Sequence, residues 1–91
     1  DQHIESLRKK SRYLEYQLAQ LAQQQKQQLQ RYEDEIYLAK RRGEKSNFIA
    51  MMNQKLHKMQ QEFKQAEQVR AKEIAGLQQQ IGGLQRQYAS Q

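Results

Sequence analysis

Cysteine, proline and tryptophan are absent from the 91 residues, and glycine occurs only four times. Without cysteine, disulfide frameworks and thiolate metal sites are excluded, and the redox compartment stays open. Without proline, nothing removes a backbone donor or forces a helix to kink. Aromatic residues make up 8% of the chain and hydrophobic residues 36%, too sparse a set for a small globular core to offset chain entropy. No apolar run approaches the eighteen or so residues that cross a bilayer, and the charged, Gln-rich start is unlike a secretory signal. The opening Asp1 and the unmarked end lead to the expectation that 1–91 is a single segment of a longer protein.

What the chain does have is helix formers and charge. Roughly twenty residues are Gln, and Lys, Arg, Glu, Leu and Ala supply much of the rest. The net charge of +6 favours acidic partners without naming one. The organising pattern is a heptad repeat. At the C-terminal end, Ile-Ala-Gly-Leu-Gln-Gln-Gln is followed by Ile-Gly-Gly-Leu-Gln-Arg-Gln, with Ile74 and Ile81 at position a and Leu77 and Leu84 at d. Counting back in sevens puts Ile4 and Leu18 at a and Leu7, Leu14 and Leu21 at d, with Ser11 as the one polar interruption. Tyr13 and Tyr16 fall outside this seam, at c and f.

The middle departs from that register. Within the Gln-rich tract, Gln25 and Gln28 occupy positions where apolar knobs belong, so packing weakens there. Leu29, Tyr32, Ile36 and Ala39 then continue the stripe in a new phase, as a four-residue stutter produces. Lys40-Arg41-Arg42-Gly43-Glu44-Lys45-Ser46-Asn47 has no large apolar side chain and the densest positive charge, which marks 40–47 as a break or hinge. Ile49, Met52, Leu56, Met59 and Phe63 resume the stripe on d and g, and it returns to a and d only after Ala66 and Val69.

An all-α long coiled coil follows, in one of two architectures. In the first, one continuous helix pairs with a parallel copy. In the second, a turn near 43–46 folds two helices back as an antiparallel hairpin, with Gly43 as the left-handed C-cap and Ser46 or Asn47 capping the next helix. That fold would bring Leu7 toward Leu84, Leu14 toward Leu77, Leu18 toward Ile74 and Ile36 toward Leu56. The parallel homodimer is the expectation, because Ile at a with Leu at d is the parallel pairing and an interior glycine costs only about 1 kcal/mol.

A two-stranded assembly offers no concave site with converging groups, so the expectation is a protein that is not an enzyme and needs no cofactor. No metal site is expected, since neither His3 nor His57 has a ligand partner at i,i+4 spacing. The predicted oligomer interface is Ile4, Leu7, Leu14, Leu18, Leu21, Ile49, Leu56, Phe63, Ile74, Leu77, Ile81 and Leu84. Such heptads resemble those of motor stalks, cytoskeletal rods and golgins, a likeness of class that transfers no residue's role. The expected function is self-association and spacing within a larger scaffold, cytoskeletal or motor-associated protein, homo-oligomeric, with further protein partners, and cytoplasmic or cytoskeleton-associated. The alternative is a binding module in which Lys40, Arg41, Arg42 and Lys45 meet a polyanion, either nucleic acid or acidic tubulin-like tails.

Overall fold

The computed structural model describes residues 2–89; positions 1, 90 and 91 of the predicted segment lie outside the described residues. Two helices account for nearly all of them, α1 at Gln2–Arg41 and α2 at Ser46–Ala89. The all-α expectation holds. The continuous parallel helix does not, because the chain leaves helical geometry at 42–45, and the antiparallel hairpin is the architecture found.

The reversal is made by backbone chemistry. Gly43 adopts φ +78°, a left-handed conformation that L side chains rarely take. Its N–H donates to the Lys40 carbonyl at 3.1 Å, and the Glu44 N–H donates to the Ala39 carbonyl at 3.1 Å. Those two bonds are the Schellman pattern, which satisfies carbonyls that a helix C-terminus otherwise leaves open. Neither of the expected caps, Ser46 or Asn47, is the residue that flanks α2. The Lys45 carbonyl accepts from the N–H groups of Phe48 at 3.0 Å and Ile49 at 3.1 Å, so Lys45 is the flanking residue and Ser46 is already helical.

Contacts divide the chain into two units. In the unit Ala22–Ala66, Ile36, Ala39 and Met52 are buried, and Tyr32, Ile49 and Leu56 pack against them. Gln25 is buried in the same unit, at the knob position expected for it, and its Oε1 has no hydrogen-bond partner. Gln28, expected at a second knob position, is exposed, and Leu29 is half-buried. The buried and half-buried run Leu21, Gln25, Leu29, Tyr32, Ile36, Ala39 contains two consecutive steps of four. This is the predicted stutter.

The other unit consists of Asp1–Leu21 and Glu67–Gln91. Ile4, Ser11, Leu14 and Ile74 are its buried members. Leu14 and Leu77 line one groove, and Leu7 and Leu84 line the next, a heptad further along. The two segments are therefore antiparallel, in the register that the hairpin reading gave. A side-chain bond supports this register: Gln78 Nε2 donates to Glu15 Oε1 at 3.1 Å. The seam of α2 runs through half-buried Glu67 and Arg70 rather than Ala66 and Val69, both of which are exposed. Long polar side chains fill such positions by burying their stems while their heads reach water.

Two substitutions test these local features by urea denaturation. Gly43→Ala lowers stability by about 1–2 kcal/mol because alanine must enter the left-handed region. Gly82→Ala, where a Cβ meets only the flexible end of Arg86 at 3.7 Å, raises it by up to about 1 kcal/mol. Equal effects at the two glycines would contradict the turn. Gln25→Leu raises stability by about 1 kcal/mol, since it removes a buried oxygen that lacks a partner; a lower midpoint would place Gln25 outside the seam.

Candidate functional site

The turn gathers the charge that the sequence singled out. Lys40 and Arg41 form the last turn of α1, Arg42 and Gly43 follow, and Lys45 leads into α2. All four cations are exposed. Three lie at the negative end of the α1 dipole, which explains their compatibility with helix termination. The first turn of α2 carries no acidic residue, so no side chain there offsets the local positive charge.

Little of this charge is neutralised nearby. Arg42 Nε lies 3.7 Å from Glu44 Oε1, with both side chains well exposed, a geometry worth little in water. The Arg41 guanidinium sits 5.9 Å from the Tyr37 ring centroid, and Lys55 Nζ is at the same distance from the Tyr32 ring. Each is a cation–π contact at the outer limit of useful range.

Sequence reasoning did not include a second set of residues around the turn. Tyr37, Leu38, Phe48 and Met51 are all large, and they are 60%, 49%, 40% and 57% exposed. The signal was present, since each lies off the three-and-four spacing of the seam residues beside it. Each of three also has a cation four residues on: Tyr37 with Arg41, Leu38 with Arg42, and Met51 with Lys55.

The predicted interface residues divide by depth. Ile4, Leu14 and Ile74 are buried, whereas Leu7, Leu18, Leu21, Ile49, Leu56, Phe63, Leu77, Ile81 and Leu84 are half-buried. In this fold they meet residues of their own chain. Tyr13 and Tyr16 lie outside the seam, and their hydroxyl oxygens accept from Gln17 Nε2 at 3.0 Å and Gln20 Nε2 at 2.8 Å. Among the described residues, no group of three or more His, Asp or Glu side chains could hold a metal ion, and no helix is long and apolar enough to cross a membrane.

Comparison of the chain with protein-family models, curated proteins and solved structures finds no match. The residues themselves therefore carry the functional argument.

Changing Lys40, Arg41, Arg42 and Lys45 together to Gln leaves helix content unchanged by circular dichroism. It lowers stability by no more than about 1–2 kcal/mol, the scale of exposed charges and terminal dipole contacts. A collapse of helicity would show that the cluster holds the turn together.

Proposed function

We propose that the chain is a structural assembly segment, an antiparallel helical pair that self-associates and serves spacing within a larger scaffold. The observation behind this reading is the incomplete seam. Among the described residues, only Ile4, Leu14, Ile36, Ala39, Met52 and Ile74 are buried apolar positions, and no large side chain is fully enclosed. Nine of the seam residues named above keep part of their apolar surface in water.

Two helices can cover only part of each other's apolar stripe, and further helices complete it in bundles. In the unit formed by the chain ends, the successive grooves at Leu14 with Leu77 and Leu7 with Leu84 repeat every seven residues. Gly76 and Gly83 line them, and neither has an atom within 4 Å of where a Cβ would lie. A second copy carries leucines at the same repeat, so its knobs match these holes. Closed pairing of identical chains is also the commonest form of assembly.

Sedimentation equilibrium at micromolar concentration tests the reading. The wild-type chain is expected as a dimer or higher oligomer. Leu77→Ala with Leu84→Ala shifts it toward monomer and lowers stability by about 2 kcal/mol or more, since Leu to Ala costs about 2–5 kcal/mol at fully buried sites. Exposed Gln79 and Gln85 changed to Ala provide the control. A wild-type chain that remains monomeric throughout would end the proposal.

A further inference from the structure

The exposed apolar residues beside the turn share one flank of the helix pair. Within Ala22–Ala66, local a and d positions are Ile36 and Ala39 on α1, and Ile49 and Met52 on α2. On that count Leu38 and Met51 are c, while Arg42, Phe48 and Lys55 are g. In an antiparallel pair, g positions of one helix lie beside g positions of the other, as e lies beside e. The Glu15–Gln78 bond in the other unit is such an e-to-e contact, and the grooves there bring together Lys10, Glu73 and Gln80, all at g. Leu38, Phe48 and Met51 thus face one side together, with Arg42, Lys55 and Lys58 among them. The opposite b/e flank carries Lys40, Ala50, Asn53 and His57 and, of the four exposed apolar residues around the turn, only Tyr37.

We propose that this flank docks the hairpin on an anionic lipid surface, lying flat with its apolar residues in the headgroup boundary. Three observations select that occupant. The patch is small: three side chains 40–57% exposed offer roughly 300 Å², well under the ~800 Å² per partner of a stable protein interface. Shallow insertion reinforced by charge is how amphipathic helices hold to a bilayer surface.

The charge also has the right sign and placement. Arg42, Lys55 and Lys58 alternate with the apolar residues and outnumber Glu35, a carboxylate at g on the same flank, and Lys40, Arg41 and Lys45 add attraction from the adjacent turn. Long basic side chains lie along an apolar boundary while their heads reach the phosphates. A second copy of the same flank would meet like charge. Nucleic acid would use the cations alone, and the Tyr37 ring, which could stack on a base, lies under Arg41 and belongs to the other flank. This inference stands apart from the self-association reading, which rests on the seam.

Co-sedimentation with vesicles tests it on the full chain. Phosphatidylcholine vesicles with about one third phosphatidylserine should bind the protein, and pure phosphatidylcholine vesicles should not. Arg42→Gln, Lys55→Gln and Lys58→Gln together should weaken binding roughly a hundredfold, at about fivefold per cation. Leu38→Gln, Phe48→Gln and Met51→Gln together should weaken it about tenfold or more.

A second measurement does not depend on how those variants fold. With no native cysteine, Met51→Cys and Ala50→Cys each take a single polarity-sensitive dye. Anionic vesicles should shift the dye at 51 to the blue and leave the dye at 50 unchanged. Absence of binding to anionic vesicles, an apolar variant that binds as well as wild type, or equal dye responses would overturn the proposal. So would tighter binding to duplex DNA that the apolar variant retains, which would assign the flank to nucleic acid.

Discussion

The bond from the Glu44 N–H to the Ala39 carbonyl, with Gly43 left-handed between them, is the constraint from which the other contacts follow. With the Gly43 N–H on the Lys40 carbonyl, it satisfies two of the terminal carbonyls of α1 and turns the chain before α2 begins. Ala39, the fully covered member of the core, therefore supplies both a buried side chain and the carbonyl that closes the turn. Its small side chain suits this double position, because a larger group would hold the helix ends apart where they must meet.

Downstream of the turn, pairing is a matter of phase. From Ile49 to Phe63, α2 keeps alternate steps of three and four, and α1 does the same from Leu29 to Ala39. Gln25 and its neighbours on α1 take up the change of phase with two steps of four. The buried oxygen without a partner is the energetic cost of that adjustment.

Much of this was legible in the sequence. The three-and-four spacing of apolar residues is a local property, so the stutter at Gln25, the break within 40–47 and the seams apart from Glu67 and Arg70 could be read directly. Orientation could not. An isolated glycine weighs about 1 kcal/mol against helix, too little to decide between turning and continuing. The decision comes from contacts summed over the paired segments, such as Ile36 with Met52, and these lie far apart in the chain. For the site, the cations were legible because charge density is read residue by residue. Leu38, Phe48 and Met51 were not grouped, because their proximity depends on which helix faces are brought together.

That dependence links the turn to the surface beside it. In a parallel homodimer, g of one strand meets e of its partner. Phe48 would then lie beside e residues of another chain, and Leu38 and Phe48 would be roughly 15 Å apart along one helix at 1.5 Å per residue. Reversal at Gly43 instead sets g beside g and joins the c residues behind them on the same flank. Three apolar side chains that would have been scattered singly, and would need no explanation, become one patch bordered by Arg42 and Lys55. The cations nearest the turn serve the same geometry twice: they complement the C-terminal dipole of α1 and concentrate positive charge where the apolar flank begins.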